Sequence, residues 1–260
     1  MTELDQHSAD SSSVPAPTSS EMTLLDHLEE LRSTLIQSAV VTAIAAFICW
    51  FFSQPLLDML ITPLAAAGEQ VYFNSPIEAF LTRMKIALVC GLFMIIPFIL
   101  WRIYRFIMPG LHDKEQRVVV PMVVASTALF YTGVAFAYLI LIPQVMAFML
   151  SFATDRLEPL IGIGPYFAFV ARLCLAFGLV FELPLVVFTL SGLGIVHPKM
   201  LLRWWRYALV VIVTFSALLT PPDVLSQLLM AGPVMVLYIG SVLIALLMAR
   251  RREKHERDKD

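Results

Sequence analysis

Glu182 is an acid standing alone in the apolar run 168–190, so its chemistry needs explaining before that of any other residue. At about 1.5 Å per helical residue, a run of that length crosses a hydrocarbon core roughly 30 Å thick. An ionised carboxylate at such depth costs about 2.5–3.5 kcal/mol, so Glu182 must face protein or water, or keep its proton. A second set of acids stands where basic residues are the usual choice. Asp26, Glu29 and Glu30 precede the first apolar segment, and Glu115 lies in the short charged loop 111–117. Two separated carboxylates can each take one guanidinium in a two-pronged contact, which suits a cationic peptide. The same acids would also make an ordinary solvated helix face and a loop charge paired with Lys114 or Arg117. The sequence has no His-Glu-x-x-His, no Gly-x-Ser-x-Gly and no P-loop. Cys49, Cys90 and Cys174 fall in apolar runs without metal-ligand spacing and read as small core hydrophobes. The pattern therefore calls for no enzyme, metal or cofactor.

The elements that must position these acids are membrane spans. The 260 residues are 59% hydrophobic and 15% charged, where a soluble domain carries about 25% charge. Residues 1–20, rich in Ser and Pro, read as a disordered tail without the basic start and apolar region of a signal peptide. Thr23 with Asp26 fits a capping box, and Leu24, Leu28, Leu31 and Leu35 then recur on one helical face. This amphipathic helix should lie at the membrane surface and run into a first span over 34–52.

The polar stretch 54–78, with Pro55, Pro63, Gly68 and Pro76, reads as a turn-rich excursion. Spans follow over 80–107, 118–142 and 168–190, with a second excursion over 143–165. A fifth span, 207–219, stops at Thr220-Pro221-Pro222-Asp223 after about 20 Å of helix, too short for an ordinary bilayer. The sixth, 224–248, is expected to be interrupted at Gly232-Pro233, and 250–260 to form a solvated charged tail. The whole is an all-α polytopic membrane protein whose spanning domain covers 21–249. Fourteen of the eighteen Lys and Arg residues fall on the side of the two termini, which predicts both termini in the cytoplasm.

Six ordered motifs then carry a resemblance. HLEELR at 27–32, Ser75-Pro76, FIMPGL at 106–111, LFYTGVAFAY at 129–138, FGLVFELP at 177–184 and LLTPPDVLSQ at 218–227 resemble the TatC family over roughly residues 22–249. That family is the multi-spanning receptor subunit of the twin-arginine protein translocase, which exports folded proteins on the proton-motive force. The resemblance implies that Glu30, in the motif closed by Arg32, and Glu115 recognise the two arginines of a signal peptide. It matches Phe106 to the family's cytoplasmic aromatic, Pro63 to its proline on the far side, and Glu182 to its buried fourth-span acid. Thr220, Asp223 and Gln227 match the region where the single-span partners TatA and TatB are thought to dock, and self-association is implied as well. The expected location is the cytoplasmic membrane of a prokaryote.

Several of these residues also have plainer roles. Glu182 would serve as a structural acid bonded to Ser126, Thr127 or Thr189, Asp223 as the N-cap of the sixth helix, and Phe106 as an interfacial anchor. The alternative function is a proton-linked secondary transporter of a small solute working through Glu182.

Overall fold

The computed structural model describes residues 24–66, 68–107, 119–154, 159–192, 196, 198–220 and 223–257. The tail 1–20, the capping residue Thr23 and the whole loop 111–117 holding Glu115 lie outside them. Helix α1 (Leu24–Phe51) joins the expected surface helix and first span without a break. The excursion after it is more ordered than its turn residues suggest. It forms α2 (Ser53–Ala66), with Pro63 inside the helix, and a short strand β1 (Val71–Tyr72). The second span bends by 47° between α3 (Pro76–Met94) and α4 (Ile96–Ile107), just before Pro97.

The third span runs further than expected. Helix α5 (Val119–Phe136) passes through one π turn, Ala137–Leu141, into α6 (Ile142–Leu150). Pro143 does not end it, because proline at the start of α6 falls where the Ile142 N–H already reaches back to Ala137 in the wider π register. Strand β2 (Ile161–Gly162) pairs in parallel with β1, Val71 opposite Ile161 and Tyr72 opposite Gly162. From this ladder α3 and α7 (Ile163–Val180) descend side by side. Helix α8 (Leu183–Gly192) completes the fourth span after a break at Phe181 and Glu182.

Helix α9 (Pro198–Arg203) leads to α10 (Trp205–Leu219), whose 15 residues make about 22 Å, still short of the bilayer. The expected interruption of the sixth span is absent. Helix α11 (Val224–Arg257) continues through Pro233 and on into the charged segment expected as a solvated tail. Met230, Ala231 and Val234 are buried around that proline, so packing holds the helix straight where one backbone bond is lost. Four spans are long and apolar enough by themselves, the bent pair makes a fifth, and short α10 brings the total to six.

Close approach of the helices depends on glycine. A Cβ on Gly91 of α3 would fall 2.5 Å from the Ala46 nitrogen of α1. One on Gly133 of α5 would fall 2.5 Å from the Phe177 carbonyl oxygen of α7, and Gly178 faces the Phe130 ring in the same way. Small residues at these contacts let backbones touch in a solvent where apolar burial drives nothing.

Prolines inside helices release carbonyls, and tyrosines take them up. Pro63 has no N–H for the Met59 carbonyl one turn earlier, and the Tyr138 hydroxyl donates to that oxygen instead. Tyr166 donates to the neighbouring Leu60 carbonyl at 3.0 Å. In the second span Pro97 abandons the Phe93 carbonyl, which accepts from Tyr131 at 2.8 Å. Pro63 thus leaves a carbonyl that a residue of another span takes up. Tyr138→Phe should lower stability by about 1 kcal/mol. In a Pro63→Ala background, where an N–H is restored, the same change should cost clearly less. Thermal denaturation of the detergent-purified variants checks this coupling; equal losses in the two backgrounds would refute it.

Candidate functional site

The exposed face of α1 carries the first acids. Leu28, Leu31 and Leu35 are exposed as well, on a helix that runs unbroken into the first span. Glu29 pairs with Arg32 at 3.5 Å, and both side chains are more than two-thirds exposed, so the pair contributes at most about 1 kcal/mol. Glu30 is half-buried and makes no hydrogen bond or ion pair with any described residue. One turn further on, Arg102 of α4 donates to Thr34 at 3.1 Å and ties α4 to α1 beside the acids. Sequence reasoning did not single out Arg102, although an arginine among the apolar residues of 96–107 is a signal of its own. Phe106 lies in the last turn of α4 with its side chain outside the described part, as is Glu115.

Glu182 is buried at the break between α7 and α8, as its apolar surroundings demanded. Of the three expected partners, only Ser126 of α5 reaches it, donating from its hydroxyl to Oε2 at 2.5 Å. Thr189 is used within its own helix, bonding the Leu185 carbonyl. Thr127 leaves its hydroxyl unpaired among the described residues, as do Ser191 and the second carboxyl oxygen of Glu182. Tyr104 of α4 lies beside the same Ser126. The acid thus ties the third and fourth spans together through one bond and keeps one acceptor oxygen unused among the described residues.

At the α10–α11 turn, Asp223 is the N-cap of α11. Its Oδ2 accepts from the Ser226 N–H at 2.7 Å, and its carbonyl accepts from Gln227. Thr220 is buried and bonds the Ser216 carbonyl at 3.0 Å. Gln227 donates from Nε2 to the Val213 carbonyl of α10 at 3.0 Å. Its amide therefore has a partner within the chain and needs none from a neighbouring span. Leu218, Val224, Leu225 and Leu228 remain as an exposed apolar edge beside it.

The sequence profile described as Sec-independent protein translocase protein (TatC) matches residues 26–233, most of the chain. The chain belongs to the TatC family. The TatC of Carboxydothermus hydrogenoformans is 38% identical over 237 residues, covering 91% of this chain and 98% of the relative. The chloroplast TATC of Pisum sativum is 37% identical over 235 residues, covering 90% of this chain and 67% of that one. A crystal structure described as the twin arginine translocase receptor TatC superposes with a TM-score of 0.78 at 32% identity, over 85% of this chain and 98% of that one. TatC relatives are translocase subunits, which leaves the solute-carrier alternative without support.

For this TatC chain, the Ser126–Glu182 contact predicts how substitutions at the buried acid separate. Glu182→Gln keeps an acceptor for Ser126 and should preserve stability. Glu182→Ala leaves that hydroxyl unpaired in the interior at a cost of about 1–3 kcal/mol. Denaturation midpoints of the purified variants, compared with export in a strain lacking its own TatC, test this. An Ala variant as stable and active as the natural protein would refute it.

Proposed function

We propose that this chain is the receptor and scaffold of a twin-arginine translocase, binding the signal peptides of folded precursors on its cytoplasmic face. The observation that carries the reading is the superposition on the twin arginine translocase receptor over nearly the whole of that protein. In this reading the family's motor is the proton-motive force, and the chain provides recognition and assembly rather than catalysis. The excess of Lys and Arg beside the termini supports placing both in the cytoplasm, in the cytoplasmic membrane of a prokaryote.

Glu30 and Glu115 each take one arginine of the peptide. Support comes from Glu30, which has no competing partner among the described residues, while its neighbour Glu29 is already matched by Arg32. An extended peptide projects successive side chains to opposite sides, so two acids on separate elements suit an arginine pair better than one cluster would. Arg32 and Phe106 flank this surface, Arg32 holding Glu29 and Phe106 contributing apolar contact. Binding of a twin-arginine peptide to detergent-solubilised protein should weaken roughly ten- to a hundred-fold on Glu30→Ala or Glu115→Ala, less for Asp, with twin-lysine binding changed less. Twin-arginine binding that survives the double substitution would make these acids a solvated face.

The apolar edge at Leu218–Gln227 receives the single-span subunits TatA and TatB, and further copies of the chain assemble around the same complex. Short α10 supports this placement, because a helix well under the bilayer's thickness leaves an edge that a neighbouring span can cover. With the amide of Gln227 already bonded to α10, docking there rests on apolar packing. Cysteines at Leu218, Leu225 or Leu228 should then form crosslinks with a TatA or TatB helix in native membranes, and Gln227→Leu should leave those crosslinks in place. Absence of crosslinks along the whole edge would remove the docking assignment.

A further inference from the structure

Helices α3 and α7 start from one ladder and run down together, and the groove between them carries two cations that the receptor reading does not use. The groove is a cavity of about 460 Å3, lined on α3 by Ser75, Ile77, Leu81 and Lys85 and on α7 by Gly164 and Ala168. On α3 the row 77, 81, 85 steps at i, i+4; on α7 the row 164, 168 continues at the same step to Arg172. Phe167, Val170, Ala171 and Cys174 face a separate apolar cavity on the opposite flank of α7, so Arg172 lies on the side of this groove.

The two cations stand equally far along their helices. Lys85 is ten residues after the N-cap Ser75, and Arg172 is ten residues after the N-cap Gly162. The first turns of the two helices are brought side by side by Glu78, whose Oε1 accepts from the Gly164 N–H at 3.3 Å, and Lys85 and Ala168 line the same groove one to two turns further on. Both Cα atoms therefore sit about 15 Å along their helices from the caps, within the apolar segments that read as spans. Lys85 and Arg172 are exposed, and neither makes a hydrogen bond or ion pair with a described residue. Glu78, the acid lining the same groove, has both oxygens engaged, the second by the Asn74 N–H at 2.9 Å. Phe80, Met84 and Leu88 are exposed beside Lys85, so the surroundings are apolar.

Two cations without a described partner, set among exposed apolar side chains, need counter-charge, and side chains on these helices point back towards the N-termini, up the groove. We propose that the α3–α7 groove binds an anionic phospholipid, its phosphate drawn down between Lys85 and Arg172 and its acyl chains lying along Phe80, Met84 and Leu88. A phospholipid fits better than a soluble anion, because it supplies the charge and covers the apolar flank together. The site stands apart from the acids of α1 and does not depend on the proposed receptor role.

The test places a photoreactive residue in the groove, Leu81→p-benzoylphenylalanine, in full-length protein reconstituted in vesicles of equal phosphatidylglycerol and phosphatidylcholine. Adducts are read by mass spectrometry. Phosphatidylglycerol adducts should exceed phosphatidylcholine adducts at least about fivefold. That preference should vanish in the Lys85→Gln/Arg172→Gln variant and persist in the charge-keeping Lys85→Arg/Arg172→Lys variant. Equal labelling of both lipids by the unsubstituted cations, or a preference that survives their removal, would overturn the proposal. So would labelling of a polypeptide in place of lipid in native membranes, which would assign the cations to a protein acid.

Discussion

A backbone carbonyl or amide left without a partner in hydrocarbon costs several kcal/mol, and this constraint shapes nearly every irregular feature of the chain. Prolines in or beside its spans each remove a donor. Where the helix bends or caps, a tyrosine from another element supplies the missing bond, as Tyr138 does for Met59 and Tyr131 for Phe93. Where the helix continues, the register adjusts, as in the π turn ahead of Pro143. The tyrosines also fasten the α2 cap to α5 and α7, so the repair of a broken helix doubles as tertiary structure.

The same economy separates structural acids from available ones. Asp223 caps α11, Glu78 receives two backbone N–H groups, and Glu182 accepts from Ser126. Each of these is committed to holding the fold. Of Glu29 and Glu30, Glu30 combines partial burial with the lack of a described partner, while Glu29 is held by Arg32. A receptor surface needs such an uncommitted charge, because a carboxylate already satisfied gains little from an incoming guanidinium. Glu182 is intermediate, with one oxygen bonded and one free among the described residues. That arrangement lets it brace the third and fourth spans while keeping capacity for a second contact.

Spans, their approximate limits and the shortness of the fifth were legible in the sequence, since apolar length and charge are sums over neighbouring residues. The need to shelter Glu182 was legible for the same reason. The motifs from HLEELR to LLTPPDVLSQ led to the TatC family that the comparisons then showed. The helix in 53–66 was hidden by its turn residues, and the continuity of α11 by the Gly232-Pro233 pair. Rules learned in water treat proline as a stop, whereas packed neighbours in a membrane can carry the helix through it.

By itself, then, the sequence determined that this chain spans a membrane six times, where its charges stand along the spans, and to which family it belongs. Tertiary structure alone decided which polar atoms meet. Ser126 rather than Thr127 or Thr189 reaches Glu182 across 56 positions, and Gln227 spends its amide on a backbone carbonyl that has no signature in the sequence. The approach of Lys85 and Arg172 likewise follows from packing α3 against α7, whose first turns meet through Glu78 and the Gly164 N–H. Hydrophobicity is local and non-directional, so it can be read along the chain. Hydrogen bonds are directional and act over about 3 Å, so their partners are fixed only when the helices are packed.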